Sequence, residues 1–311
     1  MASLDNLDPE LRAVVPNLPS LPFDDVTVRR RLIESQVTGR QRGYDTAGVR
    51  IEWRDVPGNG RSPGTRVQLF VPEDVLPRAP ALLDVHGGGF CTGTPEIDAF
   101  VNVRIAREVG AIVAAVDYRL APEHPFPAAA EDTYLALEWL FAQAGTLGID
   151  PARIGILGDS AGGGIAASAV LLARDRDGPK PCFQALTQPV LDDRLETQSM
   201  REGHDALMFP RASAVACWRH YLGGRPADAY AAPARMADLS GLPPTYVSVN
   251  ELDPLRDEGV NYALALLATG INTELHVWPG AFHGFRIVQH SALAKRFMAE
   301  LMAVLRRGLA V

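Results

Sequence analysis

Cysteine is scarce in this 311-residue sequence: Cys91, Cys182 and Cys217 are the only three, and no CxxC pair occurs. A zinc ribbon or a thioredoxin-type dithiol is thereby excluded. Unpaired thiols suit a reducing compartment, so a cytoplasmic location is expected. Lysine is scarcer still. Lys180 and Lys295 are the only two, and neither follows a glycine. A phosphate-binding P-loop needs Gly-Lys and is excluded, and Schiff-base chemistry is confined to those two positions. Basic charge is in deficit, with 37 acidic against 30 basic residues and a net charge of −7. A nucleic-acid binder carries the opposite balance. Long apolar runs are missing too. The run at 262–268, YALALLA, is far short of the roughly 18 residues that would cross a bilayer, so no membrane span is expected. The start, MASLDNLDPE, has neither a basic nor an apolar region of the signal-peptide kind, so none is expected.

What remains is an ordinary globular composition, 47% apolar and 22% charged. From residue 49 onward, short β-rich runs alternate with amphipathic segments. Strands are expected near 49–56, 65–71, 80–85, 111–117, 153–157, 184–188, 244–249 and 273–278. The first two alternate in polarity, as half-exposed antiparallel strands do, and several later ones are wholly apolar, as strands covered on both faces are. Helical patterns lie near 95–109, 128–143, 161–176, 255–269 and 291–306. In the last, Leu293, Phe297, Leu301 and Leu305 mark one buried face. This alternation predicts an α/β fold with a mostly parallel sheet. Two segments break the rhythm. Residues 1–45 precede the sheet and include an amphipathic stretch from Phe23 to Val37, opened by Asp24 and Asp25. Residues 190–243 are too long for a crossover and carry Leu207-Met208-Phe209 and a helical pattern from Arg211 to Leu222. Ligands of open α/β sheets sit at the carboxyl ends of the strands, so both segments are expected to form a helical cap there. The resulting division is a cap from 1–45 and 190–235 over a core from 46–189 and 236–311.

Residues 153–164 read RIGILGDSAGGG, and Gly158-Asp159-Ser160-Ala161-Gly162 is a G-x-S-x-G turn between a strand and a helix. Such a turn projects a serine Oγ above the sheet as a nucleophile, although glycines at a strand–helix turn can also be purely structural. Residues 81–90, ALLDVHGGGF, end another strand in three glycines, whose N–H groups a substrate oxygen can approach unobstructed. The competing reading is a nucleotide loop, which fails because Thr92 stands where the last glycine of G-x-G-x-x-G belongs. In the strand–turn–helix hydrolases the acid and then the histidine follow the serine in sequence. Asp253 lies just past the strand at 244–249, with Asp257 as a rival acid more suited to an ion pair with Arg256 or a cap arginine. His283 lies past the strand at 273–278. His86 belongs to the glycine loop, His124 precedes the serine, and His204 and His220 precede the acid. His276 is within a strand and His290 is near the last helix.

Five motifs in order resemble the bacterial relatives of hormone-sensitive lipase among the α/β-hydrolases, in the GDSAG subgroup. They are HGGGF at 86–90, DYRLAPEHPFPAA at 117–129, GDSAGGG at 158–164, DPLRDEG at 253–259 and HGF at 283–285. The resemblance spans roughly residues 70–300. It implies an α/β-hydrolase fold, with an eight-stranded, mostly parallel sheet flanked by helices under a helical cap. It also implies carboxylic-ester hydrolysis of a small-molecule substrate without cofactor or metal, and suits a homodimer. Ser160 would be the nucleophile, His283 the base and Asp253 the acid, with the N–H groups of Gly88, Gly89 and Ala161 forming the oxyanion hole. Short to medium acyl chains are expected in a pocket lined by Met208, Phe209 and Phe282. Two other functions fit the same motifs: an amidase or lactonase, which the triad cannot separate from an esterase, and a non-catalytic receptor, which would have lost the histidine. Only a neutral imidazole can accept the Ser160 proton, so a histidine base acts in its uncharged form.

Overall fold

The computed structural model describes residues 4–18, 23–41, 45–75 and 77–311. Eight strands form one sheet: β1 Val49–Pro57, β2 Gly64–Pro72, β3 Ala79–Val85, β4 Ile112–Val116, β5 Ile149–Asp159, β6 Gln184–Thr187, β7 Thr245–Asn250 and β8 Thr273–Trp278. Their order across the sheet is β1-β2-β4-β3-β5-β6-β7-β8. Only β2 runs against its neighbours; from β4 to β8 every pairing is parallel. The eight strands expected from the sequence are all present, with ends shifted by a few residues.

The helices are α1 Pro9–Val14, α2 Val26–Gln41, α3 Ala99–Val109, α4 Ala128–Ala142, α5 Ala144–Leu147 and α6 Ala161–Asp175. After them come α7 Gln198–Glu202, α8 Arg211–Leu222, α9 Arg256–Ala268 and α10 Ala292–Gly308. Alternation along each strand divides the core between the two faces of the sheet. Ala81 and Leu83 of β3 join α4, α6 and α9 in one apolar cluster. Leu82 joins α3 and α10 in the other. The face marked on α10 by Leu293, Phe297, Leu301 and Leu305 is buried there, and each such side chain contributes about 1.5–3 kcal/mol by leaving water.

The segments that broke the strand–helix rhythm pack near the carboxyl ends of β3, β5 and β7. Asp25 caps α2 by accepting from Val28 N–H at 3.0 Å. Phe23 meets Phe209 edge-on at 5.8 Å, and its carbonyl lies 3.2 Å from His220 Nε2 on α8. Arg30 fastens α2 downward, donating to Cys91 O, Ala121 O and both oxygens of Glu123 at 2.7–2.9 Å. Residues around α1 pack beside the loop after β8: Asp8 N–H donates to Gly280 O, Glu10 accepts from Ala292 N–H, and Leu7 shares a cavity wall with Leu207, Asp253 and Phe282. The expected cap segments at 1–3, 19–22 and 42–44 lie outside the described residues.

Candidate active site

At the end of β5 the chain turns sharply into α6, and Ser160 takes φ +55° and ψ −119°. This left-handed backbone is unusual for a residue with a Cβ and is held by its surroundings. Ser160 N–H donates to Thr187 O at 2.9 Å, and its carbonyl accepts from Gly163 and Val190 N–H. A Cβ on Gly158 would overlap Gly162 O, and one on Gly162 would overlap Val85 O. The flanking positions of the turn therefore admit nothing larger than glycine.

Three loops bring a proton path to the serine. Ser160 Oγ lies 3.0 Å from His283 Nε2. His283 Nδ1 lies 2.7 Å from Asp253 Oδ2. Asp253 Oδ1 accepts from Leu255 N–H at 3.0 Å, which fixes the carboxylate plane. All three residues are buried. Phe209 lies against the imidazole at a ring separation of 4.8 Å and shields it from water. The rival acid Asp257 sits in the first turn of α9, paired with Arg256 Nε at 2.8 Å and accepting from Ser199 N–H at 2.8 Å. Burial opposes its charge, but Arg256 and Ser199 hold its carboxyl below the ordinary range. Its hydrogen bonds among the described residues go to Ser199 and Arg256, none to His283. His276, an alternative base by residue type, is engaged with Glu300 at 2.6 Å.

The glycine loop after β3 faces this path. Gly88 O is turned away, accepting from Cys91 N–H, Thr92 N–H and Thr92 Oγ1. The N–H groups of Gly88 and Gly89 make no backbone bond among the described residues, and that of Ala161 begins α6, where no helical partner exists. A Cβ on Gly89 would strike Phe23 and Cys217, so the overlying segments press directly on the loop. Below it His86 is wholly buried, stacks on Tyr118 at 4.2 Å and holds Gly87 O at 2.8 Å, while Tyr118 Oη donates to His86 O. The 117–129 motif thus acts through contact with the loop's anchor.

Ser160, His283, Gly88 and Gly89 open onto a cavity of about 240 Å³, walled by Phe23, Ile33, Met208 and Phe209 among others. Met208 and Phe209 line it. Phe282 does not. It is fully buried and belongs with Leu207 to the wall of a second cavity of about 460 Å³ on the far side of Asp253. The two loops divide their side chains between the cavities: His283, Met208 and Phe209 line the one at the serine, Phe282 and Leu207 the other. The larger cavity reaches Asp253 and Ser199, but neither Ser160 nor His283 lines it.

The sequence pattern gave no indication of a buried polar frame around the serine. Gln188 Oε1 accepts from Asn250 Nδ2 at 2.7 Å and Gly284 N–H at 2.8 Å, and its Nε2 donates to Asp159 at 3.1 Å. One side chain thereby ties together the loops that carry Ser160, Asp253 and His283. Arg286 Nη2 donates to Asp98 at 2.8 Å and Asp159 at 2.9 Å. Beneath lies Asp84, whose carboxyl accepts from Asn102 Nδ2 at 2.8 Å. Burial, and next the negative Asp98, raise Asp84 to about 7 from an ordinary 3.8. A carboxyl raised on folding stabilises below its unfolded value and loses that contribution as pH rises through its folded value. Asp84→Asn is therefore expected to flatten the fall of thermal midpoint between about pH 4 and 7. Parallel curves for the two proteins would refute this.

Residues 82–287 match the family model described as the α/β-hydrolase fold. The chain is 41% identical over 244 residues to carboxylesterase NlhH of Mycobacterium tuberculosis, 76% of each chain being covered. It is 36% identical to esterase LipI of the same organism over 92% of each. Among solved structures, a bacterial heroin esterase superposes with a TM-score of 0.96 at 43% identity, covering 98% of this chain and 99% of its own.

Proposed function

Because this chain belongs to the α/β-hydrolase fold family, in the branch that resembles hormone-sensitive lipase, we propose that Ser160, His283 and Asp253 act in it as the triad of a serine carboxylesterase. The continuous line from Ser160 Oγ through His283 to Asp253, at 3.0 and 2.7 Å, carries this reading. His283 Nε2 takes the hydroxyl proton as Oγ attacks the ester carbonyl. The negative oxygen forms beside the N–H groups of Gly88, Gly89 and Ala161, a donor of this kind being worth about 3–4 kcal/mol. The imidazolium then protonates the departing alcohol, and water repeats the cycle to release the acid. Asp253 holds the His283 tautomer and offsets its transient charge. A p-nitrophenyl ester series, read alongside a phosphonate that labels serine, tests the assignment. Hydrolysis with phosphonate fixed on Ser160 is expected, and labelling elsewhere with full loss of activity would overturn it.

Short to medium acyl chains, roughly two to eight carbons, are the proposed substrates, with residues 1–45 and 190–235 as the cap that limits the site. Each CH₂ buried against Met208, Phe209 and Phe23 gains about 0.8 kcal/mol until the cavity is full. Activity is expected to rise over the first few carbons and then fall. Met208→Trp should move the optimum to shorter esters; an unmoved optimum with lowered stability would make Met208 only a packing residue. Equal rates on four- and sixteen-carbon esters would refute a closed site.

No helix among the described residues is long and apolar enough to cross a membrane. The three cysteines are unpaired, which supports a reducing, cytoplasmic setting. A homodimer along β8 belongs to the same reading. That strand ends the sheet, Val277 on it is exposed, and Leu264 and Leu267 on the adjacent α9 are exposed as well. Sedimentation at micromolar protein tests it, a mass near one 33.5 kDa chain counting against it.

A further inference from the structure

We infer that Arg286 is a specificity-determining residue, which selects esters bearing a second, neutral hydrogen-bond acceptor such as a keto or ether oxygen. This rests on the esterase reading and concerns the same cavity. Most of the side chains around Ser160 that could meet an alkyl group are apolar: Phe23, Ile33, Ile97, Phe100, Met208 and Ile287. Arg286 interrupts that wall. Its hydrogen bonds among the described residues all leave from one nitrogen, Nη2, toward Asp98 and Asp159. A guanidinium carries five N–H donors, and this one keeps 15% of its side-chain surface exposed while lining the Ser160 cavity. Nε and Nη1 are absent from the buried atoms left without a partner. Neither nitrogen donates to another group among the described residues, so their donors remain for a ligand in the cavity that Arg286 lines.

The ion pairs decide what kind of ligand that is. Burial works against the charge, but Asp159 and Asp98 outweigh it and hold Arg286 charged. Two carboxylates against one guanidinium leave this corner without surplus positive charge. A substrate carboxylate would meet Asp98 and Asp159 as well as Arg286, so a neutral acceptor is the better partner. The two salt bridges also fix the fork, so no side-chain ordering is needed when a ligand arrives. A plain alkyl arm would strip water from these N–H groups and return nothing, whereas an arm with an oxygen at the same position restores the bond. Leaving such donors unpaired is what makes hydrogen-bonding sites reject isosteric alkyl groups.

Two matched pairs locate the acceptor. In the acyl arm, p-nitrophenyl 4-oxopentanoate is compared with p-nitrophenyl pentanoate. In the alcohol arm, 2-methoxyethyl acetate is compared with butyl acetate. The wild type is expected to show a KM about tenfold lower for the oxygen-bearing member of at least one pair, and Arg286→Met to abolish that ratio. Using the ratio within each protein separates recognition from any general loss caused by unpairing Asp98 and Asp159. Equal ratios in wild type and variant for both pairs would overturn the inference while leaving the esterase reading intact. Failure of the wild type to hydrolyse any of the four would instead overturn that reading. Should Arg286→Met not fold, Arg286→Lys keeps a cation between the two aspartates but loses the planar fork, and a wild-type KM indifferent to the oxygen in both pairs is by itself enough to refute.

Discussion

Ser160→Ala is expected to lower kcat on p-nitrophenyl butyrate by on the order of 10⁵–10⁶ with the fold unchanged. The size follows from what is removed. Oγ is the atom His283 Nε2 approaches at 3.0 Å, and no other hydroxyl among the described residues stands in that line. The backbone features that hold the turn do not depend on the hydroxyl. The N–H of residue 160 still donates to Thr187 O, and its carbonyl still accepts from Gly163 and Val190. Alanine keeps the Cβ that the left-handed φ of +55° already accommodates. Glycine loop and cavity would persist, so a small residual rate above that in water is expected from binding and the N–H donors alone. The check is kcat at saturating ester together with the thermal midpoint. A variant retaining more than a tenth of the wild-type rate at an unchanged midpoint would show that Ser160 is not the nucleophile.

The sheet was legible because burial writes itself into strand composition. Ala81-Leu82-Leu83 is apolar throughout since its alternate residues enter two cores, whereas 49–56 alternates because β1 is an edge. Ser160, Asp253 and His283 were legible since each follows a strand, in a fixed order, with glycines or a helix start beside it. The place of Phe282 was not legible, because adjacency in sequence does not imply a shared cavity: His283 lines the one at the serine and Phe282 the one beyond Asp253. Arg286 and Gln188 left no pattern at all. Arg286 meets Asp98 across 188 residues of chain and Asp159 across 127. Such pairings belong to the tertiary structure and have no period along the sequence. Asp159 was visible inside the G-x-S-x-G motif, yet nothing local marked it as the acceptor for Thr187, Gln188 and Arg286.

Asp253→Asn is expected to cost about 10⁴ in kcat, while Asp257→Asn leaves kcat within a few-fold of wild type. The two acids lie four residues apart, so the comparison isolates position from chemistry. Asp253 accepts on both oxygens, from Leu255 N–H on Oδ1 and from the His283 and Asn250 side chains on Oδ2. An amide can keep only one accepting side. With its oxygen toward Leu255, its NH₂ faces His283 Nδ1 and forces the proton onto Nε2. The imidazole then donates toward Ser160 and can no longer take its proton, so the fold survives but the base is lost. Asp257 accepts from Ser199 N–H and pairs with Arg256, both partly exposed. Asparagine can retain the Ser199 bond, and an ion pair of that exposure contributes about 1 kcal/mol or less. Because the Asp257 carboxyl is held below its ordinary range, that contribution exists at neutral pH and disappears as pH falls through the folded value. Asp257→Asn should thus lower the thermal midpoint slightly at pH 7 and not at all in strong acid. Steady-state rates and thermal melts on both variants supply the comparison. A kcat loss of thousands-fold in Asp257→Asn, with Asp253→Asn near wild type at equal folded fraction, would exchange the roles of the two carboxylates.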